Sequence, residues 1–240
     1  MQKRMSLDGA ERRRVYLFRH GAVDYVDENG KVVPDPDDVH LNDRGQEEAS
    51  AMQTLFSDVD VDVAVCSGYR RTRETAAIVL GSRDMDLEVA TGLQEIRPAL
   101  DRRPDYDLFR DVAYSHWRAD EPGSLFLGGE AYADFYARVS SAMAALIGRQ
   151  DWHNMAIFAH GGTNAAILGW VTGLDLKAFG VFDQATCCLN IIDFDISLDS
   201  ADVIRRTVRG MNITAADPTK HRRTSGDMEM LASHLMRFDR

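Results

Sequence analysis

Cysteine is scarce in this chain, with Cys66, Cys187 and Cys188 the only three in 240 residues. An odd count without C-x-x-C spacing argues against a disulfide framework or a zinc site, and fits buried, reduced thiols in a cytoplasmic protein. Long apolar runs are missing as well. None approaches the roughly 18 to 20 residues that a membrane span requires, and residues 1–14 are polar and arginine-rich, unlike the apolar centre of a signal peptide. No internal repeat or low-complexity segment is present. Positive charge is in deficit: the formal net charge is −10 and the pI about 5.1. Neither nucleic acid nor a membrane is therefore expected as a partner. The remaining composition, 45% hydrophobic and 28% charged, is that of a globular protein able to bury one sizeable core. Against this acidic background, a local gathering of arginines and histidines is informative.

Period and punctuation suggest alternating strands and helices. Residues 15–18 form a short apolar run that enters Arg19-His20-Gly21, the pattern of a buried strand ending in a loop. Residues 22–40 form a long, acidic, proline-containing loop. Asn42 is placed to cap a following helix. A strand through Val61, Val63 and Val65 leads to Ser67, then a helix over 70–80 closed by Gly81, then a short strand over 87–90. Helices over 105–119 and 130–148 are separated by a turn-rich loop. An apolar strand over 155–159 ends at His160-Gly161-Gly162, and a helix from about 163 to 171 follows. Strands over 187–196 and 203–212 complete a sheet, and residues 228–238 form a terminal helix. This order predicts a single-domain, three-layer α/β/α fold with a mostly parallel central sheet. A polar tail over 1–14 precedes the domain at 15–216, and an extension over 217–240 follows.

Ligands in such sheets collect at the carboxyl ends of the strands. Those ends deliver Arg19 and His20, then Ser67 with Arg70, Arg71 and Arg73, then Glu95, then His160 and Gly161. Two imidazoles, arginine forks, a carboxylate and a helix N-terminus suit a phosphoryl group: guanidinium matches phosphate oxygens, imidazole attacks phosphorus, and a carboxylic acid protonates the departing oxygen. Singly, each has a plainer explanation, such as a solvated helix face for Arg70 to Arg73.

Together, the residues Leu17-Phe18-Arg19-His20-Gly21, Leu41-Asn42 with Gly45, Ser67-Gly68-Tyr69-Arg70-Arg71 leading to Thr75-Ala76, Leu93-Gln94-Glu95-Ile96, Gly128-Gly129-Glu130 and Ala159-His160-Gly161-Gly162 resemble the histidine phosphatase superfamily, also called the phosphoglycerate mutase-like family. The resemblance implies a phosphomonoesterase acting on a small phosphorylated metabolite, without metal or other cofactor. His20 would be the nucleophile that becomes phosphorylated. Arg19 and Arg71 would clamp the phosphoryl oxygens, His160 would stabilise the transition state, and Glu95 would be the proton donor. Arg70 and Arg73 are left as surface residues. Gly161, Tyr25 and Glu130 are further candidates for substrate contact, although Glu130 equally suits a helix start. Arg97, Arg103, Trp117 and Phe126 are candidates for the organic part, with core packing an alternative for the last two.

The Glu-Ser and Trp-Asn pairs of the mutase branch are absent after Gly21, where Ala22-Val23-Asp24-Tyr25 stands, so hydrolysis is favoured over mutase-type phosphotransfer. A non-catalytic phospholigand-binding module is the alternative of another class, but it would need no nucleophile. The apolar face of the terminal helix has to be covered by its own subunit or by a second copy, with a homodimer slightly favoured.

Overall fold

A computed structural model describes residues 9–25, 33, 35, 37–99, 108–215, 217–220, 223 and 225–237. Its strands are β1 (Ala10–Arg19), β2 (Val63–Cys66), β3 (Leu87–Val89), β4 (Asn154–Ala159), β5 (Leu189–Ser197) and β6 (Val203–Ile213). Its helices are α1 (Asp43–Phe56), α2 (Arg70–Leu80), α3 (Leu108–Ala113), α4 (Tyr132–Ile147), α5 (Gly161–Thr172), α6 (Ala178–Val181) and α7 (Asp227–Arg237). The six strands form one sheet in the order β3-β2-β4-β1-β5-β6. β2 pairs with β3 and β4 in parallel, as β1 does with β4, whereas β5 runs antiparallel to both its neighbours.

The alternation of side chains along β1 explains the layers. Val15 and Leu17 join one cluster with Phe135, Val139 and Met143 of α4 and Ile167 and Leu168 of α5. Tyr16 and Phe18 point the other way and pack with Met52 and Phe56 of α1 and Val79 and Leu80 of α2. Both faces being covered, β2 and β4 can be almost continuously apolar. The α1 cap is as the sequence implies, with Asn42 Oδ1 accepting the Gly45 N–H at 2.9 Å.

The first strand starts earlier than its apolar run. Ala10 to Arg14, assigned to a polar tail from sequence, belong to β1 because Arg12 and Arg14 lie opposite Asp195 and Asp193 on β5. Arg14 Nε donates to Asp193 at 2.6 Å and Arg12 Nε to Asp195 at 2.7 Å, while Arg209 and Arg205 of β6 reach the same two carboxylates. Cross-strand ion pairs thus replace the apolar cover that part of the sheet lacks. The helix expected over 105–119 is shorter: α3 ends at Ala113, and a 3-10 turn spans His116–Arg118. Its expected start lies outside the described residues, as do Arg103 and Phe238. Helix α7 packs on α3 of its own chain, where Ala232, Val112 and Ala113 are buried together with Leu231, Met228 and Leu127 against them. Met230 of the same helix stays 41% exposed. Among the described residues, no helix is long and apolar enough to cross a membrane.

Asp193 is buried and holds two guanidiniums. Asp193→Ala should lower stability by on the order of 2 kcal/mol, less than a fully buried pair because both arginines are partly exposed. Urea denaturation at neutral pH measures this, and a loss within error would show that the ladder, not the ion pairs, holds β1 to β5.

Candidate active site

The register of β1 against β4 makes Arg19 and Ala159 partners, so the next residue of each strand, His20 and His160, emerge side by side. Their ring centroids are 5.2 Å apart. Cys66 of β2 is opposite Phe158, which brings Ser67 within reach of His160: Ser67 Oγ lies 2.8 Å from His160 Nε2. Both histidines and Ser67 are buried. His20 Nδ1 is 2.7 Å from the Gly21 carbonyl oxygen. A carbonyl only accepts, so Nδ1 carries the proton and Nε2 keeps a lone pair. His160 Nδ1 is buried and has no hydrogen-bond partner among the described residues.

Two arginines bring positive charge to this strand end. Arg71, in the first turn of α2, is buried, with its guanidinium carbon 4.8 Å from the centroid of the Tyr69 ring and 5.7 Å from that of Tyr25. Its neighbours Arg70 and Arg73 are exposed, and Arg70 pairs with Glu74. The helical turn alone separates one inward arginine from two outward ones. Arg19 donates through Nη1 to the Gln184 carbonyl at 2.5 Å and runs alongside Gly161, where an added Cβ would lie 3.4 Å from Arg19 Nε. Burial holds Arg19 below the usual guanidinium range.

Glu95 follows β3 and a 3-10 turn, and its carboxylate sits on the N-terminus of α5. It accepts the N–H groups of Gly162 and Thr163 at 3.1 Å each and that of Ile96 at 3.0 Å. A Cβ on Gly162 would come within 2.6 Å of Glu95 Oε1, which explains the glycine there. Glu130 has another task. Its carboxylate takes Nε and Nη2 of Arg138 and the Arg97 N–H, and Arg138 also donates to the Gly92 and Gln94 carbonyls. Those bonds brace residues 92–97, which carry Glu95.

Among the candidates for the organic part, Tyr25 adjoins Arg71. Phe126 is buried and stacks on His116 in an aromatic group with Tyr132 and Phe179. Trp117 is 67% exposed and lines a cleft with Arg110, Tyr114 and Arg118 that contains none of the residues above, so core packing does not explain it. Arg97 is exposed and bonds Gln94. Sequence reasoning did not identify Arg138 and gave no role to the motif residue Thr75, whose Oγ1 accepts the Gly21 N–H at 3.0 Å. It also missed the buried amides Asn164, Gln184 and Asn190, which bond one another behind Arg19. The available signal was weak, since Glu130 precedes α4 while Arg138 lies within it, outside the helical pairing distances. Among the described residues no group of three or more His, Cys, Asp or Glu is placed to hold a metal ion.

An α/β fold with paired imidazoles and arginines at the carboxyl ends of its parallel strands defines a protein that handles phosphoryl groups. Residues 15–202 match the histidine phosphatase superfamily (branch 1), and the chain belongs to that family of phosphate-ester hydrolases. It is 26% identical over 205 residues to the adenosylcobalamin/alpha-ribazole phosphatase of Escherichia coli K12, covering 82% of this chain and 98% of that one. It is 25% identical to a probable 2-carboxy-D-arabinitol-1-phosphatase of Arabidopsis thaliana, matching 76% of this chain but spanning only 38% of that relative's length. The crystal structure of the alpha-ribazole phosphatase from Shigella flexneri superposes with a TM-score of 0.64 at 26% identity, over 83% of this chain and 96% of that one.

The buried histidines link pH to stability. Burial, reinforced by Arg71 and Arg19, holds His20 well below the usual imidazole range, and burial followed by Arg71 does the same to His160. His116 is pushed down to about 4, by burial and then by Arg19. All three are neutral when folded and gain a proton on unfolding below about pH 6.5. Their contribution is complete above that value and is lost as pH falls toward the folded pKa values. Asp193 and Asp195, also depressed, begin to matter only near pH 4, since both states leave them ionised above it. Urea denaturation at about pH 5 should therefore show less stability than at about pH 7.5, each histidine giving at most about 2 kcal/mol. The difference should shrink in His160→Gln; if it stays the same, His160 is not among the groups that titrate.

Proposed function

We propose that the chain is a metal-independent phosphomonoesterase that hydrolyses a small phosphorylated metabolite through a phosphohistidine on His20. The observation that carries this is the His20 ring, whose Nδ1 proton is fixed on the Gly21 carbonyl so that Nε2 is the nucleophilic atom, beside two arginines and a second histidine. Neutral imidazole is the reactive form, and its depressed pKa keeps it so below the ordinary value. Nε2 attacks phosphorus in line with the departing oxygen. Arg19 and Arg71 balance the charge on the equatorial oxygens. With Ser67 Oγ–H donating to His160 Nε2, the His160 Nδ1–H is left to donate to a phosphoryl oxygen. Glu95 Oε2 accepts only the Gly162 N–H among the described residues, leaving a lone pair for the proton that goes to the leaving alcohol. Glu95 then takes a proton from water, which displaces His20 from phosphorus and releases phosphate. The arginines provide the positive charge that other phosphatases draw from metal ions, so activity should persist in EDTA. The names of the relatives support a phosphate ester of a small metabolite as substrate.

Acid-quench labelling tests the nucleophile. Wild type incubated with a phosphomonoester should carry an acid-labile phosphoryl group, and His20→Ala should carry none while turnover falls to background. Label retained in that variant would place the nucleophile elsewhere. Glu95→Gln tests the acid. Single-turnover phosphorylation by an alkyl phosphate should slow by roughly 10² to 10⁴-fold, because an alkoxide leaves poorly without a proton. Phosphorylation by p-nitrophenyl phosphate should slow far less, and equal losses on both esters would remove Glu95 from this role.

A further inference from the structure

The register of the sheet sends the chain's last segment to the catalytic end. Phe18 of β1 is opposite Leu189 of β5, which in turn is opposite Ile213 of β6. β6 therefore ends level with the residues that precede His20. From there the chain runs through residues 214–226 to α7, which is anchored on α3 and Leu127. Within this strap Lys220 Nζ donates to Thr214 Oγ1 at 2.8 Å, and Thr214 Oγ1 donates to the Asp217 carbonyl at 2.9 Å. The Arg223 N–H donates to the Lys220 carbonyl at 3.0 Å. Arg223 Nη2 reaches Asp183 Oδ1 at 3.1 Å, and the next residue, Gln184, offers its carbonyl to Arg19. Arg19 and Arg223 are thus held on consecutive residues, one guanidinium inside the phosphoryl site and the other beside it.

Charge makes this arrangement unusual. The Arg223 side chain is only 14% exposed. Its charge is among those that depress Arg19, and the Lys220 amine is itself lowered, chiefly by burial and also by Arg223. Like charges gathered in a poorly hydrated place repel, and an anion bridging them reverses the sign of that term. The phosphoryl group answers Arg19 and Arg71. Among the described residues, Asp183, half exposed, pairs with Arg223, Asp217 lies near Lys220, and Glu229 stands close to Asp183 at Gly226, so the two outer cations are not a bare positive patch. Their position next to Arg19 still gives the site a second place for negative charge.

We propose that Arg223 and Lys220 form a second anion subsite, and that the substrate is a phosphomonoester bearing another anionic group, a carboxylate or a second phosphate, on the carbon skeleton next to the ester. This rests on the hydrolase reading for the ester and adds the class of the organic part. The subsite belongs to the strap, outside residues 15–202 that match the family.

Binding of phosphonates, which the enzyme does not hydrolyse, tests it apart from catalysis. Calorimetry would compare phosphonoacetate, 3-phosphonopropionate and 4-phosphonobutyrate with alkylphosphonates of the same length, and include a propylene bisphosphonate. At the best chain length the wild type should favour the ligand with the second anion by roughly 10- to 100-fold, the range of a charge-assisted hydrogen bond. The carboxylate and bisphosphonate arms show which anion it is. Arg223→Ala should cut that preference at least tenfold, Arg223→Lys should retain part of it, and Lys220→Gln should reduce it. Asp183→Asn removes the same ion pair while keeping both cations, and should hold or raise the preference. Equal binding of mono- and dianionic ligands by wild type would overturn the subsite. So would Asp183→Asn behaving like Arg223→Ala, since the arginine would then only tether the strap. Failure of the hydrolase reading would show instead as the absence of turnover and of His20 labelling.

Discussion

The parallel pairing of β1 with β4 is the constraint from which the site is built. Two strands in register expose equivalent residues at their ends, and here those residues are His20 and His160. A slip of one position would turn every side chain of β1 to the opposite face, breaking the division between Val15 and Leu17 on one side and Tyr16 and Phe18 on the other. The two apolar layers therefore hold the imidazoles adjacent with a precision that a loop could not give. Ser67 depends on the same device one strand further out, through the pairing of β2 with β4. Only Glu95 is delivered by a longer connection, and that connection is the one braced by Arg138 and Glu130.

Burial then decides the protonation state. An imidazole that is enclosed and faces guanidiniums is neutral, which suits a nucleophile and rules out a permanent ion pair with phosphate. The cations have to be arginines, because a guanidinium keeps its charge under desolvation and offers a planar fork to phosphoryl oxygens. The net charge of −10 is consistent with this local concentration. Many acids are engaged elsewhere: Asp193 and Asp195 hold the β1–β5–β6 ladder, Glu88 and Asp151 hold Arg149, and Glu74 holds Arg70. Global charge thus speaks about nonspecific partners and says little about a buried site.

Much of this was legible because it is written in local pattern. Apolar period located β2, β4 and α2, and the motif position before Thr75 distinguished Arg71 from Arg70 and Arg73, as their burial now does. Long-range pairings were not legible. Arg12 and Arg14 look like a polar tail until Asp193 and Asp195, nearly two hundred residues on, are seen opposite them. Glu130 carries a motif signal, yet its partner Arg138 turns it into a brace. For Trp117 the sequence left substrate contact and core packing both open, and inside the 3-10 turn that follows α3 it is exposed. The face of α7 was visible as an apolar stripe, but a stripe does not name what covers it. Here α3 covers Met228, Leu231 and Ala232, while Met230 stays exposed.

That last point bears on where specificity resides. The residues proposed for phosphoryl transfer lie at the ends of β1, β2 and β4, in the first turn of α2 and after β3, all within the portion that matches the family. In the proposed mechanism the groups that stabilise the transition state meet only phosphorus and its oxygens, so they do not distinguish one monoester from another. Selection has to come from residues that meet the remainder of the substrate. Tyr25, which adjoins Arg71, and the proposed subsite of Arg223 and Lys220 are the elements available. Arg223 is held by Asp183, and Lys220 by Thr214 just after β6, so each of these cations has a fixed partner. A charge held in place discriminates by position, whereas a mobile one attracts every anion alike. On this proposal selectivity changes with Arg223 and Lys220, while the strand ends and the reaction proposed for them stay as they are.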